Sequence, residues 1–280
     1  MGSPFDFASP ETFDEWWADS LRSGIMILGG MHGNEPLGPA VVEHLNETSE
    51  SLYPSIANTS AVQEAERYIH CELSTAKIRP HSNKFEERRL PRLIRICNAF
   101  PLTIDIHNSL SSEYAFTGPN PEPSLLKVAS FLGRSRILLT DYTFYERVPR
   151  ALGVEFACPA DTAELEPWLE QKVPEVCERL GKLATFGSFS ELPEVDWDSL
   201  EFYRDWRSID QQEAVKLGLP DYSIQPFEAL PSRLASGLGR SPEQPPVHAL
   251  FWDNLSYGPN FAGLAERCDP PLKLQELLAA

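Results

Sequence analysis

Cysteine is scarce and unpaired in this chain: five residues in 280, an odd number, with no C-x-x-C spacing. That argues against a disulfide framework or a cysteine-rich zinc site and suits reduced intracellular thiols, mostly packed as small hydrophobes. Long apolar runs are missing too. No stretch approaches the ~18 unbroken apolar residues of a membrane span. The opening Met-Gly-Ser-Pro-Phe-Asp lacks the basic-then-apolar layout of a signal peptide. The expectation is a cytoplasmic protein with no membrane partner. Basic residues are thin, 24 Lys and Arg against 41 Asp and Glu, for a net charge of −17. A nucleic-acid partner is therefore not expected, because phosphate binding draws on clustered Lys and Arg. An anionic small substrate would need a local basic site to overcome the global field.

What is present suits a folded chain. Apolar residues make up 42%, too many for intrinsic disorder. The length fits one large domain, or a core domain of about 180–200 residues with an appendage. Residues 1–22 are acidic and aromatic and read as an N-terminal extension, with a short helix around 11–21. Gly24 to Gly30 is a continuous apolar run, as in a strand buried on both faces. It enters the turn Gly29-Gly30-Met31-His32-Gly33-Asn34-Glu35-Pro36, and Pro36 suits the first turn of a helix through about His44. Asn46 to Ser60 reads as loop, and Arg67 to Leu73 as strand-like.

Further along, helical patterns over 84–98, 124–133 and 161–186 alternate with strand patterns at 102–107, 136–140 and 153–157. This alternation predicts an α/β layer fold with a parallel or mixed sheet. After about residue 190, short strand-like pieces sit among Pro- and Gly-rich loops. The expected organisation is 1–22 extension, 23–190 catalytic domain and 191–280 a smaller β-rich C-terminal domain.

The chemistry concentrates at strand ends. His32 and Glu35 form an H-x-x-E pair in a tight loop after a buried strand, where open α/β sheets place their sites. Catalytic zinc commonly takes three protein ligands, two His and one Glu being one such set, and keeps a position open. His107, leaving the apolar strand Leu102-Thr-Ile-Asp-Ile-His107, is the third candidate. Neither half is specific alone; their conjunction carries the reading. Water activated by a metal still needs a base to relay its proton. Glu155, a carboxylate inside Gly153-Val-Glu-Phe-Ala157, is costly there unless a cavity or partner receives it. Arg67 could stabilise an oxyanion, although from composition alone it reads as a surface residue.

Five ordered segments, Gly29 to Glu35, Arg67 to Leu73, Phe85 to Arg89, Asp105 to Asn108 and Gly153 to Pro159, resemble the motifs of the aspartoacylase/succinylglutamate desuccinylase family. These are zinc amidohydrolases related to M14 carboxypeptidases. The resemblance runs from about 24 to 160 and resumes weakly over Val247 to Tyr257. It implies a zinc carboxypeptidase-like mixed sheet flanked by helices, with the C-terminal domain partly capping the entrance. It also implies one Zn²⁺ per chain on His32, Glu35 and His107, Glu155 as general acid/base and Arg67 polarising the scissile carbonyl. Tyr257 would contact substrate. Asp105 and Asn108 would surround the third ligand, with Asp105 orienting a histidine ring.

One departure stands out. The family's second motif continues as D-L-N-R, whose Asn and Arg hold the substrate carboxylate; this chain has Glu72-Leu73-Ser74-Thr75. Ser and Thr cannot make the bidentate guanidinium contact. Arg79, Arg88, Arg89 and Arg147 are candidate replacements, each of which also reads as purely structural; Arg88, Arg92 and Arg95 recur at helical spacing, as in a solvated basic face. N-acetylaspartate and N-succinylglutamate are therefore not the expected substrates. The expected activity is zinc-dependent hydrolysis of the amide bond of a small N-acyl amino acid or related N-acyl compound. The alternatives are an M14-like carboxypeptidase or esterase, or a non-catalytic metal-binding relative. A homo-oligomer is left open.

Overall fold

In a computed structural model the described residues are 24–49, 51–79, 81–110, 113–241, 243–252 and 260–279. The helix expected around 11–21 and Tyr257 lie outside them. Nine strands among these residues form one sheet. They are β1 (Ile25–Gly29), β2 (Leu52–Ile56), β3 (Leu102–Ser109), β4 (Tyr114–Thr117), β5 (Arg136–Leu139), β6 (Ala151–Ala157), β7 (Glu201–Asp210), β8 (Val247–Trp252) and β9 (Asn260–Cys268). The spatial order is β2-β1-β3-β6-β4-β5-β7-β9-β8. Strands β2, β1, β3 and β6 are mutually parallel, as are β4, β5 and β7. The two halves join antiparallel at β6–β4, and β9 and β8 extend the far end antiparallel. This is the mixed, mostly parallel α/β sheet expected from the alternating pattern.

Period-two alternation splits the core into two layers. On one face Ile25, Ile27, Ile104 and Ile106 pack with Leu37, Val41 and Leu45 of helix α1 (Leu37–Thr48). On the other, Met26 and Leu28 join a cluster with Leu90 and Leu93. Helices α2 (Thr59–Glu64), α3 (Phe85–Cys97), α4 (Pro123–Phe131), α5 (Thr143–Arg147) and α6 (Thr162–Thr185) complete the part before residue 190. After it, Ile209, Leu219, Leu230, Leu234, Val247 and Leu264 belong to a third apolar cluster, while β7 hydrogen-bonds directly to β5. No helix among the described residues is long and apolar enough to cross a membrane.

Two local expectations differ from what forms. The segment expected to be loop, 46–60, carries the end of α1, all of β2 and the start of α2. β2 is the outermost strand and contains Pro54; an edge tolerates proline, whose presence masks the strand signal. Arg67–Leu73, expected to be strand-like, forms no strand. Its amides are taken elsewhere: the Ile69 and His70 N–H groups donate to the Glu86 carboxylate at 2.7 and 3.2 Å.

The entry to α1 sits unusually close to β1. A Cβ on Gly38 would lie 2.6 Å from the Ile106 carbonyl oxygen and 2.9 Å from the Gly29 Cα. Both obstacles are backbone, so neither can rotate away. Gly38→Ala is expected to cost about 1–3 kcal/mol by overpacking, read as a lower midpoint in denaturant unfolding; an unchanged midpoint would contradict this close approach.

Candidate metal centre and active site

Because β1, β3 and β6 run parallel, their carboxyl ends open on one side of the sheet. The H-x-x-E loop leaves β1 there. Gly33 fits only without a side chain, since a Cβ would meet the Ala61 carbonyl carbon and oxygen at 2.1 Å. The Asn108 Oδ1 on β3 accepts the Leu37 N–H at 2.9 Å and so ties the start of α1 to β3. His107 and Glu155 are register partners on β3 and β6. These constraints bring three side chains together. His32, Glu35 and His107, all buried, present ligand atoms within 4.8 Å of one another.

The Glu35 carboxylate lies between the two imidazoles. Its Oε1 is 2.6 Å from His32 Nδ1 and its Oε2 is 2.8 Å from His107 Nδ1. Each ring faces a second carboxylate with its other nitrogen. His32 Nε2 is 3.1 Å from Glu72 Oε1. His107 Nε2 is 2.9 Å from Asp105 Oδ2, near enough to pair but out of line for a hydrogen bond. Asp105 Oδ2 also accepts the Tyr145 hydroxyl at 2.7 Å. The Asp105 carboxylate behind His107 Nε2 favours N–H there and leaves its Nδ1 lone pair aimed inward, the arrangement that orients histidine toward a metal. His32 Nε2 meets both the Glu72 carboxylate and Arg67 Nη2, each at 3.1 Å.

The electrostatics favour positive charge at this centre. Burial works against charge on Glu35, yet the two imidazoles hold its carboxyl well below the ordinary range. Burial likewise opposes charge on His107, but Asp105 and Glu35 hold that imidazole well above its usual value. For His32, burial and Arg67 push down, while Glu35 and Glu72 prevail and raise it. Asp105 Oδ1 and Glu155 Oε1 are buried without a hydrogen-bond partner. A dry centre with Glu35, Asp105 and Glu155 carboxylates is costly unless a cation answers them. The donor set, two imidazole nitrogens and a carboxylate, fits a zinc-type ion.

A cavity of about 90 Å³ opens beside the triad, and Arg67, Glu72 and Glu155 line it with the three candidate ligands. Burial first, and the Glu35 carboxylate second, push the Glu155 carboxyl up to about 7. Arg67 Nη1 donates to Glu35 Oε1 at 3.3 Å, and its Nη2 lies 3.5 Å from Glu72 Oε1. Against its burial, the Glu72 carboxyl is held down to about 2 by His32 and Arg67. Tyr114, Phe116, Leu138, Leu250 and Phe251 also line the cavity, with the Phe116 ring 5.1 Å from that of His107.

Of the residues expected from the sequence, His32, Glu35, His107, Glu155 and Arg67 all meet at this cavity. Asn108 is adjacent but 4% exposed, its carbonyl engaged with α1. Arg88 and Arg147 do not line the cavity. Both are exposed; Arg88 donates to the Ser82 carbonyl at 2.8 Å, and Arg147 sits at the outer end of α5. Side chains not picked out as site residues from the sequence also line it, chiefly Glu72 and Tyr142. The Tyr142 hydroxyl donates to Asp205, and burial together with Asp205 and Glu72 pushes the phenol well above its usual range. No local pattern could have revealed this pair. It forms because Leu139 on β5 lies opposite Arg204 on β7.

The loop carrying Arg67 and Glu72 hangs on one buried carboxylate. Besides the two amides it accepts from that loop, Glu86 Oε1 takes the Asn58 side-chain amide at 3.3 Å. Arg89, one helical turn on, donates to the Ala57 and Ile56 carbonyls at 3.0 and 3.1 Å.

Fold and site together define the class: the chain has the aspartoacylase/succinylglutamate desuccinylase fold, with a buried His-Glu-His group at the carboxyl ends of its central strands. The comparisons bear out the fold that the motif resemblance implies. The structure is similar to murine aminoacylase 3 (TM-score 0.60, 15% identity, 88% of this chain and 95% of that one). It is also similar to the succinylglutamate desuccinylases of Chromobacterium violaceum (0.61, 17%, 89% and 86%) and Vibrio cholerae (0.58, 14%, 90% and 82%). In sequence, mouse aspartoacylase is 29% identical over 31% of this chain, a match that spans 35% of that protein's length. No protein-family profile matches the chain.

Removing the Glu86 carboxylate leaves the buried Asn58 amide and two part-buried backbone amides without their acceptor. Glu86→Ala is expected to cost about 2–3 kcal/mol and to speed amide hydrogen exchange at Ile69 and His70. Unchanged exchange at those two amides would mean that the loop is held by something else.

Proposed function

We propose that the protein is a zinc-dependent amidohydrolase that cleaves the amide bond of a small N-acyl compound with water. The observation that carries this reading is the convergence of His32, Glu35 and His107 beside Glu155 at one cavity. In this reading those three residues hold one Zn²⁺ per chain, and when bound the ion supplies Lewis acidity toward water and the scissile carbonyl. Glu155, with a carboxyl pushed up to about 7, is poised both to take a proton and to return it near neutral pH. It accepts the proton of the attacking water as the water oxygen bonds to the carbonyl carbon. The tetrahedral carbon then expels nitrogen, and Glu155 delivers the proton to the leaving amine. Products are a carboxylic acid and an amine.

Arg67 donates to the developing oxyanion. To do so it turns from Glu35 and Glu72, which hold it in the free site. The segment after residue 190 acts as the cap, supplying Ser208, Leu250 and Phe251 to the cavity wall. A capped cavity excludes bulk water and strengthens each charge contact within it.

Glu155→Gln keeps the shape and removes the base. Turnover of an N-acyl substrate is expected to fall by about 10²–10⁴-fold, while zinc content stays near one per chain. Retained turnover in that variant would reject Glu155 as the proton carrier. Chelation should abolish hydrolysis in the unaltered protein, and zinc should restore it.

A further inference from the structure

The cavity is lopsided in charge. Among its described lining residues Arg67 is the single Lys or Arg, while Glu35, Glu72 and Glu155 are all acidic. A fourth acid, Asp205, accepts a hydrogen bond from the Tyr142 hydroxyl, while burial pushes its own carboxyl up. Arg67 is already shared between Glu35 and Glu72. A carboxylate entering this space meets among the described lining residues one guanidinium, Arg67, which the reaction assigns to the oxyanion, and must stand beside Glu72.

From this juxtaposition of Glu72 and the Tyr142–Asp205 pair with the catalytic cavity, we infer that the substrate is an N-acylated amine whose amine part bears no carboxylate. It is uncharged or cationic. The inference rests on the hydrolase reading of the same site. Glu72 and Asp205 select by charge: they repel an anionic amine component and attract a cationic one. Tyr142, kept protonated by its surroundings, offers a neutral polar wall between the two acids. The Tyr114, Phe116, Leu138, Leu250 and Phe251 side accommodates the apolar part of the molecule.

Three compounds with one acyl group test this directly: N-acetylalanine, N-acetylalaninamide, and the N-acetylated diamine in which an aminomethyl group replaces the carboxylate. With zinc-loaded protein, kcat/KM for the neutral and cationic compounds is expected to exceed that for the carboxylate by about tenfold or more. Asp205→Asn should narrow the gap between cationic and anionic compounds. Calorimetric binding of the same three to Glu155→Gln reads the preference without turnover, so a failure of the hydrolase reading is seen separately. The expected order there is cation and amide ahead of carboxylate. A carboxylate that binds or reacts best, equal affinity for all three, or no binding of any at millimolar concentration would each overturn the inference.

Discussion

A single carboxylate wedged between two imidazoles organises this molecule. Glu35 reaches His32 with one oxygen and His107 with the other, across 72 positions of sequence. Such a group in a dry interior is tolerable only if its surroundings supply positive charge. Much nearby structure serves that demand. The Gly29–Gly38 contact brings α1 close to β1, and Asn108 ties the start of α1 to β3. Asp105 stands behind His107 Nε2, and Glu72 with Arg67 stands at His32 Nε2, while both Nδ1 atoms meet Glu35. Changing any of these contacts alters the aim of a ligand rather than its identity.

The site's backbone was readable because its signals are local. An apolar run ending in Gly-Gly-Met-His-Gly-Asn-Glu states both the strand and the tight exit. An acidic residue inside Gly153-Val-Glu-Phe-Ala is an anomaly that only a cavity explains. What the sequence concealed depends on distance. Tyr142 and Asp205 carry no motif, and only the pairing of β5 with β7 brings them together. β2 was hidden by Pro54, which an edge strand admits. The loop over 67–73 looks like a strand by side-chain pattern, yet the Glu86 carboxylate takes amides that a strand neighbour would have used. The substitution of Glu72-Leu-Ser-Thr for the family's D-L-N-R was visible, but its consequence was not. Arg88 and Arg147, considered as replacements for the missing clamp, face solvent away from the cavity. Glu72 instead joins His32 and Arg67, so the motif keeps its orienting acid.

Catalytic and selective features are thereby separable. The ligand triad, Glu155 and Arg67 lie on elements held by the sheet and by Glu86. Glu72 and Tyr142 line the same cavity from the 67–73 loop and the start of α5. A fold of this kind can change substrates by exchanging the rim while its strand ends stay constant. The mouse aminoacylase and the bacterial desuccinylases it resembles in architecture share no more than 17% identity with it, which leaves ample room for such exchange.

The most direct measurement is zinc-edge X-ray absorption on protein loaded with one equivalent of metal. The account predicts stoichiometric binding with imidazole and carboxylate scatterers at about 2.0–2.2 Å, two of the three protein ligands being histidine. Sulfur scattering at about 2.3 Å, or failure to retain one zinc per chain, would contradict it.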